Sequence, residues 1–407
     1  MKKLCRRVLV LTLFMVLVFQ ANLFAGGQKE KKEEGNVIKI GAAISLTGSL
    51  ARFGKLVKNG YELWKDKVNE SGGIKVGNKR MKVKIIYYDD QSNSQTSARL
   101  TEKLITEDKV QFLLGPFGSG NTFATTAIAE KYNIITIATL ANAPKIYTRG
   151  YKNVFAVLAP GTKILYSFID MLAAQNPPPK KVAIITPNDM FPMAVAKGAK
   201  AYCQEKGFDV VYYEEYPKGV KDLSSTILKI KNSGAEVLMG SGYLSEAILT
   251  VRQLKEQKVK LKAVCFTTGP ELADFRKNLG DDANNIFGVS WWMPMMKYSG
   301  PLFGSASDYA KLYRSKYGDT LAYQAAAASQ GGLLLQLAIE KAGSLDTDAV
   351  RKALREYDGV TFWGPTKWDK TGQNIVGSTV TFQIQNGEIK TVWPENAAVA
   401  KPIYPAW

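Results

Sequence analysis

Histidine does not occur in this 407-residue sequence, and cysteine occurs only three times. Without histidine the chain lacks the commonest general base of enzymes and the commonest neutral ligand of metal sites. Only Cys203 and Cys265 lie beyond the amino-terminal segment, too few soft ligands for a zinc or redox-metal centre. We therefore expect no metal, no cofactor and no enzymatic activity. Both cysteines lie in strand-like or helix-like runs, so we expect buried thiols and not a disulfide.

Acidic residues are fewer than basic residues, with 36 Asp and Glu against 54 Lys and Arg. The positive excess is spread along helix-like segments, and the sequence contains neither an arginine cluster nor a nucleic-acid-binding motif. We interpret the excess as solvated surface and expect no nucleic-acid partner. Hydrophobic residues make up 46% of the chain, enough for two domains with cores of their own.

The amino terminus differs in composition from the rest of the chain. Four basic residues precede an apolar run over Val8–Phe19, and small residues follow up to Ala25. This order is typical of a secretory signal, and the run is too short to span a bilayer comfortably, which disfavours a membrane anchor. We expect a signal peptide over 1–25, a flexible polar leader over 26–36 and a periplasmic or other extracytoplasmic location. No cysteine lies between the apolar run and Cys203, so ordinary lipidation is not expected.

From Val37 onward, strand-like and helix-like segments alternate. The predicted strands of the first unit are Val37–Leu46, Val83–Tyr88, Phe112–Leu114 and Ile134–Ala138. A second run of the same design reaches Ile286–Ser290. Repeated βα units predict an α/β fold in which two parallel sheets are each covered by helices on both faces.

The pattern changes after Ser290. Predicted helices between residues 305 and 356 follow one another without strands. Two strand-like runs, Ser378–Gln385 and Glu388–Val392, are joined by Asn386-Gly387, a dipeptide that strongly indicates a tight hairpin turn.

The glycine-rich stretch GPFGSGN at 115–121 follows a predicted strand and opens a helix. It lacks the lysine of a phosphate loop and the glycine spacing of a dinucleotide fingerprint. Two interpretations remain open from the residues alone. Exposed N–H groups and the Ser119 hydroxyl suit a small anion such as a carboxylate, or Ser119 is a plain helix cap.

Glu271 follows Gly269-Pro270 at the end of a predicted strand, where an acid could take a ligand's ammonium or simply favour a helix start. Adjacent residues point apart, so Asp89-Asp90 is read as a pair of solvated loop acids and not as a catalytic dyad. Trp291-Trp292-Met293 is read as strand and inter-domain packing, with a ligand site as the alternative.

Several stretches together resemble one family over nearly the whole chain after the leader. They are IKIGAAISLTGSLARFGKLVKNGYEL (38–63), GGIKVGNKRMKVKIIYYDD (72–90), LLGPFGSGNT, IITIATLANAPKI (134–146) and GPTKWDKTGQ (364–373). The chain resembles the periplasmic leucine/isoleucine/valine-type substrate-binding proteins of ABC transporters. The resemblance implies the type I periplasmic binding fold, with two doubly wound parallel-sheet lobes, a three-crossover hinge and a ligand cleft. Lobe 1 would be 37–158 plus 295–364, and lobe 2 would be 159–294 plus 365–407.

The resemblance also assigns site residues. Ser119 matches the serine that binds the ligand carboxylate, and Glu271 matches the acid that takes the α-ammonium. The other implied ligand-binding residues are Phe53, Leu140, Ala141, Asn142, Phe191, Tyr243 and Tyr323. Asn142 stands where the family has a threonine, and its amide can still donate. A tyrosine hydroxyl is missing at Phe191 and a ring is missing at Gly242, which predicts a larger and drier pocket.

We therefore expect a monomeric binding protein that closes on a small zwitterionic amino acid with a branched-chain, apolar or aromatic side chain and docks on a membrane ABC permease. Three alternatives stay open: the ligand-binding subunit of a sensor, a binding protein for amides or urea, and a secreted α/β enzyme. The missing histidine and the lack of a nucleophile–base pair disfavour the enzyme.

Overall fold

The computed structural model describes residues 36–405. The expected signal peptide and nearly all of the expected leader lie outside the described residues. Within 36–405, no helix is both long enough and apolar enough to cross a membrane. The described chain forms two α/β lobes, each built around one mainly parallel sheet, which confirms the predicted fold class.

The first lobe contains a six-stranded sheet. Its strands are β1 (Val37–Ile44), β2 (Ile74–Val76), β3 (Lys79–Asp89), β4 (Phe112–Leu114), β5 (Thr136–Ala138) and β6 (Val154–Ala156). The spatial order is β2-β3-β1-β4-β5-β6, and every pair is parallel except β2 with β3. The central strands are buried apolar runs, as expected where helices cover both faces of a parallel sheet. The alternation pattern predicted strands β1, β3, β4 and β5 of this sheet.

Three helices follow the strands of this sheet. They are α1 (Ala51–Glu70), α2 (Ser94–Thr106) and α3 (Ser119–Lys131). Helix α2 begins after Asn93, whose side chain accepts a hydrogen bond from the N–H of Thr96. Helix α3 begins after Gly118, whose φ of 95° favours glycine at this tight turn.

The acid pair after β3 differs from the prediction. Asp90 is fully buried, where it accepts hydrogen bonds from Ser45 Oγ (2.6 Å) and Asn121 Nδ2 (2.8 Å). Asp89 accepts from the N–H groups of the loop after β1. The prediction of solvated loop acids is therefore wrong for Asp90. Its carboxylate instead connects three βα loops of the first lobe through hydrogen bonds.

The second lobe repeats the design. Its strands are β7 (Lys181–Pro187), β8 (Asp209–Tyr216), β9 (Val237–Gly240), β10 (Ala263–Phe266) and β11 (Phe287–Ser290). Its helices are α4 (Tyr166–Ala173), α5 (Met190–Glu205), α6 (Ser224–Ser233), α7 (Leu244–Glu256) and α8 (Ala273–Leu279). These five strands are all parallel. Cys203 and Cys265 are free and buried in this lobe, as predicted.

The chain then returns to the first lobe. This segment contains β12 (Ser299–Gly300), β13 (Gly304–Ser305), α9 (Ala306–Tyr317), α10 (Tyr323–Ala342), α11 (Thr347–Arg355), β14 (Asp358–Thr361) and β15 (Gly364–Lys367). Helix α10 packs along α1 at very short range, since a Cβ on Gly60 would lie 2.2 Å from the Ala325 carbonyl oxygen. A Cβ on Gly332 would lie 2.2 Å from the Trp64 ring, so both helices depend on glycine for this approach.

The last two strands complete the second sheet. Strands β16 (Val380–Gln385) and β17 (Glu388–Trp393) form the predicted hairpin, with positive φ at Asn386 and Gly387. The order of this seven-stranded sheet is β17-β16-β11-β10-β9-β7-β8. The preceding segment lies against the first lobe, because Trp368 Nε1 donates to Ala156 and Asn374 Nδ2 to Val157. Residues Trp368 and Asn374 therefore pack beside β6, and the lobe boundary at 364 stays a prediction.

Candidate functional site

Loops at the carboxyl ends of the strands in both sheets meet across a cleft. Contacts that join the lobes there include the ring pair Phe53–Tyr243, the hydrogen bond Gln324–Glu271 and the ion pair Arg52–Asp274. Ligands of open α/β sheets bind at such carboxyl ends. Because these contacts bridge the lobes, the structure represents a closed conformation.

Ser119 is buried at the first turn of α3 and does not cap that helix. Its Oγ accepts a hydrogen bond from the N–H of Ala143 at 3.2 Å, which joins the loops after β4 and β5. The hydroxyl proton remains available for donation to another acceptor. Of the two interpretations of Ser119 left open by the sequence, the structure therefore excludes the plain helix cap.

The three neighbouring loop residues are held by bonds within the protein. The carbonyl of Leu140 accepts from the N–H of Gly118 (3.1 Å), and that of Ala141 accepts from a tyrosine hydroxyl. Asn142 Nδ2 donates to the carbonyl of Ala159 at 2.7 Å. The Asn142 amide thus ties this loop to the first crossover, and its direct contact with a ligand stays a prediction.

Four aromatic rings pack together in the middle of the cleft. The stacked rings of Phe53 and Phe117 have centroids 4.3 Å apart, and the Tyr243 ring lies 5.9 Å from Phe117 and 6.2 Å from Phe191. All four are buried. The sequence prediction missed Phe117, although its place in the glycine-rich loop after β4 was a usable signal.

These rings bear on the expected shape of the pocket. Tyr243, next to Gly242, supplies the ring that appeared to be lost, and it contacts both lobes. Ring-to-ring contacts therefore fill the middle of the cleft in this conformation, and a larger and drier ligand pocket stays a prediction.

Glu271 lies in the loop after β10 and is 7% exposed. Its Oε2 accepts from the N–H of Gly269 (2.7 Å), and its Oε1 accepts from Gln324 Nε2 (2.8 Å). No Lys or Arg within 36–405 forms an ion pair with it. Burial raises the pKa of Glu271 to about 7, against the smaller opposing effects of these donors and of Arg276.

Three polar residues surround this carboxyl group. Tyr323, the first residue of α10, is buried, and burial followed by the charge of Glu271 raises the pKa of its phenol. Thr268 and Gln324 lie beside that phenol and oppose the shift. Thr268 Oγ1 and Gln324 Oε1 are buried without a hydrogen-bond partner. The sequence prediction named Tyr323 but neither Thr268 nor Gln324.

A cavity of 430 Å³ opens beside Glu271 and Tyr323. Residues of both lobes and of the second crossover line it, among them Arg276, Trp292 and Arg314. Its volume falls within the range of small-molecule sites. The crossover tryptophans pack as predicted, with Trp292 Nε1 donating to the carbonyl of Phe362 at 3.0 Å.

Comparison with known proteins places the chain in a family. The sequence model of the periplasmic binding protein family matches residues 37–388. A Leu/Ile/Val-binding protein homolog 7 from Brucella abortus (strain 2308) is 26% identical over 378 residues, which cover 89% of this chain and 93% of the relative.

Solved structures share the fold. The branched-chain amino acid transporter substrate-binding protein LivJ from Streptococcus pneumoniae, in complex with isoleucine, aligns with a TM-score of 0.77 and 23% identity over 91% of this chain and all of that one. A solute-binding protein of an ABC transporter from R. palustris, in complex with benzoate, aligns with a TM-score of 0.73 and 19% identity over 87% of this chain and 95% of that one. This chain belongs to the periplasmic binding protein family.

Proposed function

We propose that the protein captures a small zwitterionic amino acid, with a branched-chain, apolar or aromatic side chain, by closure of its two lobes and delivers it to an ABC permease. One observation carries the proposal: Glu271 is a buried carboxyl without an ion-pair partner in the described chain, and it contacts the opposite lobe through Gln324. A buried carboxylate is costly unless a cation compensates it. An α-ammonium supplies that cation.

The opposite end of the cleft suits the α-carboxylate. The Ser119 hydroxyl retains a proton to donate, and the first N–H groups of α3 favour an anion. The ring cluster between the two ends would separate to admit an apolar side chain. Glu271 lies on the second lobe and Ser119 on the first, so a zwitterion gains both sets of contacts only after closure.

Export to the periplasm, a monomeric state, binding without catalysis and transfer to a permease belong to the same proposal. Leu/Ile/Val-binding homologs among the relatives support the ligand class. The division into lobe 1 (37–158 plus 295–364) and lobe 2 (159–294 plus 365–407) is also proposed.

A second candidate is an aromatic carboxylate without an ammonium. Two structural neighbours are complexes with benzoate and with 4-hydroxybenzoate. With its pKa near 7, Glu271 is protonated in part at neutral pH and could then donate to such a ligand.

A thermal-shift screen of the chain from residue 26 onward tests the proposal. The panel contains the apolar and aromatic amino acids, benzoates, amides and urea, with calorimetry for each hit. We expect amino acids to raise the unfolding temperature, and tighter-binding amino acids to raise it more at the same concentration. Binding of benzoates alone would select the second candidate, and binding of only amides, urea or sugars would contradict both. Substrate turnover would contradict a pure binding role.

A further inference from the structure

The hairpin at the edge of the first sheet carries a cluster of positive charge that lies outside the cleft. Between Glu70 and Asp89 the sequence contains five basic residues and no acidic one. All five side chains are exposed, and they belong to Lys75 on β2 and to Lys79, Arg80, Lys82 and Lys84 on β3. These five residues are named the basic hairpin.

Four of these charges share one face of the hairpin. Arg80, Lys82 and Lys84 occupy alternate positions of β3, so they point to the same side, while the buried Val83 points into the lobe. Lys75 lies directly opposite Arg80 in the antiparallel strand pair. Like charges in directly opposite positions destabilise a strand pair. An anion from outside the described chain would offset this cost.

The basic hairpin has no acidic partner of its own. No Asp or Glu within 36–405 forms an ion pair with it. Arg80 and Lys82 donate only to main-chain carbonyls at the end of α1 and just after it, and the other three amines have no hydrogen bond among the described residues. By contrast, Lys65, Lys103 and Lys131 on the helices of this lobe each pair with an acid. Positive charge is therefore concentrated and uncompensated at this hairpin.

Protection of the sheet edge does not account for the whole cluster. Charged side chains on an edge strand prevent it from pairing with another chain. Only Lys75 lies on the edge strand β2, however, and the other four residues lie on β3, which has a strand neighbour on each side. The number of charges therefore points to a partner that carries many negative charges.

The basic hairpin lies at the opposite end of the first sheet from the cleft. Strand β3 begins at Lys79 and ends at Asp89, whose carboxylate binds the loop after β1 on the cleft side. The N–H of Lys82 donates to the carbonyl of Asn36, the first described residue, at 3.1 Å. Residues 1–35, with the expected export signal, are thus joined to the lobe beside the hairpin. A contact made here leaves the cleft free to close.

We propose that the basic hairpin binds the surface of a bilayer that contains anionic phospholipids and so keeps the protein close to the membrane. Four of its five residues are lysines, whose compact and strongly hydrated charges suit a diffuse layer of phosphate groups better than one planar carboxylate. Clusters of about four to eight basic residues are typical of contacts with anionic lipids, and each residue near the surface changes the affinity about fivefold. This inference goes beyond the proposed function and does not depend on the ligand.

Co-sedimentation of the chain from residue 26 onward with phospholipid vesicles tests the proposal. We expect binding to vesicles that contain phosphatidylglycerol and none to vesicles of phosphatidylcholine alone. Binding should disappear at high salt, because ions screen the contact. The triple variant Lys75→Gln, Lys79→Gln and Lys84→Gln should bind about a hundredfold more weakly than wild type. Its unfolding midpoint should stay near that of wild type, since these side chains are exposed and form no hydrogen bond among the described residues.

The triple variant Lys197→Gln, Lys221→Gln and Lys260→Gln is the matched control. These three lysines are also exposed and also form no ion pair or hydrogen bond within 36–405, but they lie on separate elements of the second lobe. The control therefore removes the same amount of charge from the protein without changing the basic hairpin. We expect it to bind phosphatidylglycerol vesicles nearly as well as wild type.

A loss of vesicle binding that is confined to the hairpin variant supports the proposal. The proposal is overturned if wild-type protein does not bind phosphatidylglycerol vesicles at low salt, or if the control loses as much affinity as the hairpin variant. Hairpin-dependent binding to soluble poly-glutamate without binding to vesicles would also overturn it, in favour of an acidic protein partner. Both variants should bind the amino acid as wild type does. Failure of every amino acid to bind would overturn the proposed function and leave the lipid contact standing.

Discussion

The two ends of the cleft, a first end at Ser119 and a second end at Glu271, differ in how many of their polar groups are hydrogen-bonded within the protein. At the first end, Ser119 Oγ accepts from the N–H of Ala143, and the amide of Asn142 is anchored on the carbonyl of Ala159. These bonds hold two βα loops and the first crossover in place before any ligand arrives. This end therefore needs little rearrangement to bind a carboxylate.

The second end is incomplete. Glu271 is buried with a pKa near 7, and Thr268 Oγ1 and Gln324 Oε1 have no partner. An unpaired buried acceptor typically costs about 1–3 kcal/mol. A ligand that supplies N–H donors and positive charge relieves these costs at once.

The comparison shows where specificity resides. Under the proposed function, the preorganised first end would accept a small carboxylate, whether from an amino acid or from a benzoate. The second end would stabilise the closed conformation only for a ligand that brings the matching cation. Breaking the second end should therefore have a larger effect on affinity than breaking the first.

The largest expected effect comes from Glu271→Gln. The variant keeps the shape of the side chain. Gln324 can turn its amide so that its oxygen accepts a hydrogen bond from the amide introduced at position 271. The ligand ammonium would then be buried without a counter-charge, which typically costs about 3–5 kcal/mol. We expect affinity for the amino acid, measured by calorimetry, to fall by about a hundredfold or more.

Glu236→Gln is the matched control for affinity. Glu236 belongs to the same lobe but receives the N–H groups of Lys180 and Lys181 at the start of β7, at the amino edge of the sheet. Its substitution should leave binding unchanged. Near-wild-type affinity of Glu271→Gln would contradict the assignment of the ammonium site.

The same substitution should stabilise the unliganded protein. The pKa of Glu271 is raised from 4.5 to about 7, so between these values the folded state binds more protons than the unfolded state. Its contribution to the free energy of unfolding therefore falls by about 3 kcal/mol as pH rises through this window. Urea unfolding should show Glu271→Gln equal to wild type near pH 4.5 and more stable above pH 7.

Glu236→Gln should change the free energy of unfolding in the opposite direction. Burial raises the pKa of Glu236, but Lys262 and the main-chain donors outweigh it and lower the pKa to about 2. Its contribution to stability is present above pH 4.5 and is lost as pH falls toward 2. The control should therefore be less stable than wild type at neutral pH. A loss of stability in both variants would show that Glu271 is not destabilising when ionised.

Much of the fold could be predicted from local pattern. The alternation from Val37 onward and the Asn386-Gly387 turn are confirmed, because buried strands and a positive-φ turn leave a clear local signature. Strand β2 and the hairpins β12–β13 and β14–β15 were missed. Their strands have two to four residues and lack the fully buried apolar run by which the equally short β4 could be recognised.

Ser119→Ala tests the preorganised end and should have a moderate effect. It removes a donor to the carboxylate and leaves the N–H of Ala143 without its partner. A hydrogen bond to a charged group contributes about 1.5–3 kcal/mol, so we expect calorimetry to show at least a tenfold loss, smaller than that of Glu271→Gln. Ser97→Ala is the control, since Ser97 Oγ is buried and unpaired in α2. A larger loss of affinity for Ser119→Ala than for Glu271→Gln would show that the first end contributes more to binding than the second.

The candidate site was less predictable than the fold. Ser119 and Glu271 could be found because each lies in a loop that follows a strand. Phe117 and Thr268 lie in the same loops, but what distinguishes them is contact with the opposite lobe. Gln324 was missed although a glutamine at the start of an alanine-rich buried helix is unusual. Local sequence carries little information about which groups meet across a cleft.

The smallest expected effect belongs to Arg52→Gln, which breaks the ion pair with Asp274 between the lobes. Both side chains are partly exposed, and such pairs contribute about 0–1 kcal/mol. We expect calorimetry at low salt to show an affinity loss of at most about fivefold, and the loss should disappear at high salt because ions screen the pair. Lys316→Gln is the control, because Lys316 pairs with Asp66 within the first lobe. A salt-independent loss larger than that of Ser119→Ala would mean that this exposed pair, and not the buried ammonium end, drives closure.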